Sequence, residues 1–232
     1  YKEEDRFYGG IGYGDDERPD LSNLNYALDG LVASGLPSSE PAFAKALAFL
    51  QRCQNRSESN PTQVRVAGDT IVAGNDGGAA YFPGNSPAGT ATLPDGRKVA
   101  RSYGSMTYAL LKGFLYAGLP KTDARVQAAF AWIGKNWTLE ENPGFDTAKD
   151  PRAGYQGYFY YLHTAARTLL LFGEEKVVDA SGAPHLWRGE LAARLLSLQK
   201  ADGSWMNDVD RWWEGHAALV TSYALLALKE TR

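Results

Sequence analysis

The sequence has few of the residues that mark several common classes of protein. Its 232 residues include three histidines and one cysteine, Cys53. A single cysteine excludes a disulfide within the chain but does not fix the compartment. Lys and Arg (24) nearly balance Asp and Glu (27), and there is no long basic run, so we expect no nucleic-acid partner. The chain also lacks an uncharged apolar run of about 18 residues, which predicts no transmembrane segment.

Aromatic residues are what the chain has in plenty, with 13 Tyr, 9 Phe and 6 Trp. The hydrophobic (44%) and charged (22%) fractions are those of an ordinary globular protein. The length suits one domain over residues 1–232 with a sizeable core. There is no signal-peptide pattern. Because the sequence reaches a glycine-rich loop as early as Gly9, it reads as a piece of a longer protein, and flanking domains are candidate partners.

The segment that follows Pro19 predicts a helix that serves as a template for the rest of the chain. Asp20 or Ser22 can cap it, and apolar residues recur on one helical face. It ends at Gly35-Leu36-Pro37, a stop signal repeated at Gly118-Leu119-Pro120. The same reasoning predicts seven helices, over about 22–34, from near 39, and over 105–117, 123–136, 156–172, 187–198 and 215–228.

These helices alternate in character. The first, third, fifth and seventh are nearly free of charge, which predicts burial on all sides, whereas the second, fourth and sixth are amphipathic. The simplest arrangement is an inner layer of helices covered by an outer layer, an all-α fold built from helical hairpins.

Residues 55–102 interrupt the helical pattern and form a long insertion. Thr90–Ala100 predicts a β-hairpin that turns at Pro94-Asp95-Gly96. Gly77-Gly78 resembles the opening Gly9-Gly10, as if the same loop were displaced by the insertion.

Gln199-Lys-Ala-Asp-Gly203-Ser-Trp205 has the spacing Gln-x-x-x-Gly-x-Trp. This resembles the QW repeat of squalene–hopene and oxidosqualene cyclases, within the terpenoid cyclase and prenyltransferase α/α toroid superfamily. The resemblance implies that Gln199 ends an outer helix and that Trp205 stacks over it. It also implies a toroid, of which seven helices would be a part, an open arc or half of a closed oligomer, since complete members have ten to twelve.

The resemblance also places a catalytic acid, and here the sequence departs from the family. In those cyclases Pro-Asp-x-Asp-Asp precedes an inner helix, and the middle aspartate protonates an alkene. Here Pro19 is followed by Asp20-Leu21-Ser22-Asn23. A serine hydroxyl is too weak an acid for that step, so we expect standard protonation chemistry to be absent. Asp20 remains the candidate catalytic carboxylate, and the alternative is that it only caps the helix.

The sites of other superfamily members are not evident. The only cysteine, Cys53, lacks the Asp-x-Cys context of the prenyltransferase zinc site. The acidic run at residues 15–17 has no partner cluster to hold magnesium. The three histidines do not share helical spacing, so no metal site and no cofactor is predicted.

Aromatic side chains at the helix starts are candidates to line a central pocket, where ring faces would hold an apolar or cationic ligand. Packing between the layers is the alternative. Glu214 is either a helix first-turn carboxylate or a pocket acid. The candidate substrate-binding residues are Tyr13, Tyr103, Tyr108, Tyr158, Tyr161, His163, Trp213 and Tyr223.

Three functions fit this pattern. The first is a cyclase-like domain that binds an isoprenoid-type hydrophobic molecule. The second is a non-catalytic interaction module that uses the insertion 55–102 as its contact surface. The third is a carbohydrate-active toroid with tyrosines as sugar platforms, although a carboxylate pair for that chemistry is not evident. A homo-oligomer is compatible with each.

Overall fold

The computed structural model describes residues 1–14 and 18–232, so the acidic run predicted not to bind magnesium lies outside the described residues. The seven predicted helices are confirmed, and their ends lie close to those expected from periodicity and stop signals. They are α1 (Leu21–Ala33), α2 (Pro41–Cys53), α3 (Gly104–Tyr116), α4 (Ala124–Lys135), α5 (Tyr158–Phe172), α6 (Trp187–Ser197) and α7 (Ala217–Glu230).

The prediction of an all-α fold is wrong, because the insertion 55–102 forms a four-stranded sheet and the chain is mixed α/β. The predicted hairpin forms from β3 (Thr90–Thr92) and β4 (Lys98–Ala100), which pair antiparallel. A second antiparallel hairpin, β1 (Gln63–Val66) and β2 (Asp69–Val72), joins it through a parallel β2–β4 pair in the order β1-β2-β4-β3. Two short strands, β5 (Val177–Val178) and β6 (Pro184–His185), pair separately.

The first hairpin escaped prediction because of its turn. Both central residues, Ala67 and Gly68, have positive φ (48° and 90°). Such turns are normally signalled by Asn-Gly or Asp-Gly, and alanine is an unusual choice for the left-handed region.

Four helices form an inner row, which we call the inner helices: α1, α3, α5 and α7. Each packs against the next in that order, while α2, α4 and α6 pack on the outside of this row. Nearly all of α3 and most of α5 are buried. The expectation of burial on all sides is wrong for α1 and α7, which each leave one face exposed because only one inner helix packs beside them.

The inner helices are structurally repeated. α1, α3 and α5 end at Gly35, Gly118 and Gly173, which all have positive φ (80°, 82° and 73°). Positions in these helices can therefore be matched by counting back from the glycine. α7 does not end at such a glycine, so we match it to α3 through a hydrogen bond that both helices accept, at Thr221 in α7 and at Thr107 in α3. The N–H of Trp205 donates to Thr221 Oγ1 at 3.1 Å, as the N–H of Ala79 donates to Thr107 Oγ1 at 3.1 Å.

The two Gly-Gly loops are equivalent in space. A Cβ on Gly9 would lie 1.8 Å from the carbonyl oxygen of Lys45 in α2, and one on Gly77 would lie 2.4 Å from that of Ala128 in α4. Lys45 and Ala128 are each the fifth residue of their helix. Since both glycines also have positive φ, close approach and backbone conformation each require glycine there.

The Gln-x-x-x-Gly-x-Trp segment links α6 to α7. Gln199 Nε2 donates to the Gly203 carbonyl at 2.9 Å, and buried Trp205 donates from Nε1 to the Leu195 carbonyl of α6 at 2.7 Å. The backbone N–H of Trp205 donates to Thr221 of α7, so this one residue bonds to both helices. Gln54 makes the equivalent bond from Nε2 to the Gly77 carbonyl at 3.0 Å.

Candidate functional site

A cavity of about 230 Å³ opens at one end of the inner helices. Residues from the first turns of all four helices line it, which shows that their N-termini lie at the same end and that the four run parallel. We call this cavity the aromatic pocket. Its lining residues are Tyr13, Ser22, Tyr26, Tyr81, Tyr103, Ser105, Met106, Gly157, Tyr160, Trp212, Trp213, Glu214, Leu219 and Tyr223.

Eight of these 14 residues are aromatic, which gives the pocket mostly apolar walls with hydroxyl groups at fixed points. The rings of Tyr26 and Tyr223 lie 6.0 and 5.9 Å from that of Tyr160. The Tyr26 hydroxyl donates to the Tyr223 hydroxyl at 3.1 Å. The Tyr160 hydroxyl accepts from Ser22 Oγ and Asn25 Nδ2, both at 3.3 Å.

Burial raises the pKa of Tyr160 to about 12, and it also raises the pKa of Tyr26 and Tyr223. These phenols are therefore neutral at neutral pH. They can donate hydrogen bonds to a ligand oxygen while their rings pack on apolar groups.

Glu214 supplies a carboxylate to the pocket wall, although it is only 1% exposed. Its Oε1 accepts from the N–H of Tyr160 at 2.8 Å, and its Oε2 accepts from the N–H of Phe159 at 3.2 Å and from Asn207 Nδ2 at 2.6 Å. Burial raises its pKa, against the opposing effect of these hydrogen bonds. Glu214 thus lines the pocket and caps α5, and its side chain accepts hydrogen bonds from α5 and from Asn207 rather than from the first turn of α7.

Asp20 is the N-cap of α1. Its Oδ1 accepts from the N–H of Asn23 at 2.8 Å, and its Oδ2 accepts from Asn23 Nδ2 at 2.7 Å. The side chain is buried and does not line the pocket. It lies behind the pocket wall, where its charge adds to the effect of burial in raising the pKa of Tyr81. The geometry is that of the capping alternative.

Four of the eight predicted substrate-binding residues line the pocket: Tyr13, Tyr103, Trp213 and Tyr223. The other four do not. The Tyr108 ring packs edge-on against that of Tyr161 in the core (5.7 Å), and the Tyr161 hydroxyl donates to the Thr138 carbonyl at 2.6 Å. The Tyr158 hydroxyl is held by the Leu139 carbonyl and Arg194, on the outer side of α5.

His163 lies behind the pocket wall, with its ring stacked on Tyr223 (5.5 Å between centroids). Burial, aided by the nearby charge of Lys112, lowers its pKa to about 4. Its Nδ1 has no hydrogen-bond partner among the described residues. His163 is therefore a neutral, half-buried side chain and does not line the pocket.

Four further aromatic residues line the pocket without having been predicted from the sequence: Tyr26, Tyr81, Tyr160 and Trp212. One signal could have found Tyr160. Counting back from the glycines that end the inner helices places Ser22, Ser105 and Tyr160 at one repeated position, and all three line the pocket. Tyr158 and Tyr161 are nearly a full turn apart and share the opposite face.

The pocket rim has unusual backbone geometry. Trp212 and Trp213 both have positive φ (58° and 68°), which is uncommon for a bulky residue. Trp213 is 71% exposed. Trp212 packs on Gly157, where a Cβ would lie 3.0 Å from the indole. Backbone strain of this kind is found most often at functional sites, which adds to the case for this pocket.

Within residues 1–14 and 18–232, no group of three or more His, Cys, Asp and Glu side chains converges as a metal site would require. No helix in the same part of the chain is both long and apolar enough to cross a membrane. Comparisons with family models, curated proteins and solved structures gave no match.

Proposed function

We propose that this chain is a cyclase-like α/α toroid domain that binds an isoprenoid-type molecule in the aromatic pocket. The observation that carries the proposal is the cluster of eight aromatic rings around one cavity at the N-terminal end of four parallel helices. Apolar, aromatic walls with a few fixed polar groups are typical of small-molecule sites. The QW-like contacts of Gln199 and Trp205 support the same family resemblance.

The volume restricts the ligand. At about 230 Å³ the pocket is smaller than the roughly 300–1,000 Å³ of common ligand sites. It suits a short isoprenoid, or the end of a long one, rather than a long chain folded for cyclisation.

The carboxylates near the pocket also argue against acid-initiated cyclisation. Both oxygens of Glu214 accept hydrogen bonds from N–H donors, which oppose the rise in its pKa that burial causes and tie the carboxyl group to α5 and Asn207 rather than to a ligand. Asp20 is occupied in the same way by Asn23, behind the wall. The proposed function is therefore binding rather than protonation of an alkene.

The test is a titration of the purified protein with geraniol and farnesol, followed by tryptophan fluorescence and by native mass spectrometry. Tyr13 and Tyr1 offer a matched pair, since both are exposed and only Tyr13 lines the pocket. We expect Tyr13→Ala and Trp213→Ala to weaken binding about tenfold each, the loss expected for one aromatic contact. Tyr1→Ala should bind as the wild type does. Absence of binding, or equal binding by all variants, would contradict the proposal.

A carbohydrate is the second candidate ligand, and the exposed indole of Trp213 is the observation that favours it. An accessible ring beside tyrosine hydroxyls is a suitable platform for a sugar face. The same titration with oligosaccharides separates the two, since a shift with sugars and none with prenyl alcohols would select this candidate.

A further inference from the structure

One repeated position, in the first turn of each inner helix, supplies four residues to the aromatic pocket. These residues are Ser22, Ser105, Tyr160 and Leu219. The first three lie the same number of residues before the glycine that ends their helix, and Leu219 precedes Thr221 as Ser105 precedes Thr107. Of the four inner helices, α5 alone therefore places an aromatic ring at this position.

The ring of Tyr160 packs against two other tyrosines of the pocket. Its centroid is 6.0 Å from that of Tyr26 in α1 and 5.9 Å from that of Tyr223 in α7. The Tyr26 hydroxyl donates to the Tyr223 hydroxyl at 3.1 Å, so the three side chains contact one another in turn. A serine at position 160, the residue that α1 and α3 have there, would leave the space beside Tyr26 and Tyr223 empty.

A buried polar side chain lies behind the Tyr160 hydroxyl. Asn25 donates to this hydroxyl from Nδ2 at 3.3 Å, and its Oδ1 has no hydrogen-bond partner among the described residues. An amide oxygen can accept from an alcohol that reaches it. Asn25 does not line the pocket, whereas Tyr160 does, so the tyrosine separates the pocket from this acceptor.

We propose that Tyr160 limits the length of the ligand, so that the aromatic pocket takes an alcohol of two isoprene units and has no room for a third. This inference rests on the proposed function, because it concerns the ligand of the same pocket. Its basis is the repeat, in which the chain builds the same position twice with serine and once with a tyrosine ring. Removal of the ring extends the pocket towards Asn25 Oδ1, which can then accept from the hydroxyl group of a longer alcohol.

The test compares the affinities for farnesol and geraniol, measured by tryptophan fluorescence and native mass spectrometry. We expect the ratio of the two affinities to be near one in the wild type, because the third isoprene unit of farnesol stays outside the pocket. In Tyr160→Ser the ratio should rise about tenfold or more in favour of farnesol, which burial of two further methylene groups is enough to supply. Tyr160→Leu should give an intermediate ratio, and it decides the question if the serine variant does not fold.

Two control variants separate the ring from other effects. Tyr160→Phe keeps the ring and loses the hydroxyl, so its ratio should remain that of the wild type. Tyr13→Ala removes an exposed ring elsewhere in the pocket lining and should weaken the binding of both alcohols alike, which leaves the ratio unchanged. Circular dichroism establishes that each variant keeps the helix content of the wild type.

The outcomes distinguish this inference from the proposed function. If the wild type binds neither alcohol, both fail together. If it binds geraniol, and folded Tyr160→Ser and Tyr160→Leu keep the wild-type ratio, the pocket binds prenyl alcohols but Tyr160 does not set their length. A wild type that already binds farnesol much more tightly than geraniol would likewise overturn the inference and leave the proposed function standing.

Discussion

Asp29 and Lys112 occupy the same repeated position in two neighbouring inner helices, six residues before Gly35 and Gly118, and their side chains form an ion pair with a shortest N–O distance of 2.6 Å. The exposure of the two partners is unequal. The Lys112 side chain is 2% exposed, whereas that of Asp29 is 33% exposed. Burial lowers the pKa of Lys112, and the charge of Asp29 opposes this.

We therefore expect replacement of Asp29 and replacement of Lys112 to lower the free energy of unfolding by different amounts. Asp29→Asn leaves a buried ammonium without its counter-charge and should reduce the free energy of unfolding by about 3 kcal/mol. Lys112→Met leaves a carboxylate that water can reach, so its cost should be smaller. Urea unfolding of both variants measures the difference. Equal losses would contradict this account.

His163 should make the protein sensitive to mild acid. Its pKa is about 4 in the folded chain and 6.5 ordinarily, so between these values the unfolded chain binds a proton that the folded chain does not. Stability is then lost as the pH falls from 6.5 towards 4, by about 3 kcal/mol in full. Lys112 and Arg167 nearby favour the neutral ring, and Asp29 opposes them.

The variant His163→Gln cannot gain this proton. Subtracting its free energy of unfolding from that of the wild type at each pH isolates the histidine from the carboxylates that titrate in the same range. The difference should fall steadily below pH 6.5. A flat difference would show that His163 titrates normally in the folded chain.

Replacing Gly9 or Gly77, the equivalent glycines of the two Gly-Gly loops, should destabilise the protein more than replacing a glycine that has the same backbone conformation but open space around it. Gly96 has a φ of 84° and open space around it, so Gly96→Ala should cost only the left-handed conformation, about 1 kcal/mol. Gly77→Ala adds a collision with the Ala128 carbonyl and should cost a further 1–3 kcal/mol or so. Thermal unfolding of both variants checks this, and similar costs would mean that the α4 backbone yields easily.

Asp20 should act as a cap and not as a catalyst. Asp20→Asn keeps an oxygen for the N–H of Asn23, so it should change stability little, whereas Asp20→Ala should cost about 1 kcal/mol or more. Neither change alters the pocket wall directly, so prenyl-alcohol binding should persist in Asp20→Asn. Loss of binding in a stable Asp20→Asn variant would restore a functional role for this carboxylate.

The helices could be predicted because their signals are local. A cap at Asp20, a stop at Gly35 and the apolar spacing between them depend only on neighbouring residues. The β3–β4 hairpin was predictable for the same reason, from Pro94-Asp95-Gly96. The β1–β2 hairpin was not, because Ala67 adopts a conformation that its side chain does not favour.

The pocket was only half predictable. A tyrosine run on a helix shows which rings share a face, but it does not show which face meets the cavity. Tyr158 and Tyr161 were expected there, and their hydroxyls instead bind the carbonyls of Leu139 and Thr138. Trp212 and Tyr81 reach the pocket from loops, whose paths depend on what they pack against.

The sequence by itself determined seven helices, their alternation between apolar and amphipathic, and the repetition of loop, helix and glycine stop. These follow from the periodicity of one helix and from the conformations that glycine and proline allow. Only the tertiary structure decided that four helix N-termini meet around one pocket, and that the ring of Tyr160 packs against those of Tyr26 and Tyr223. Those features depend on which helix lies beside which, and the helical period carries no information about a neighbour.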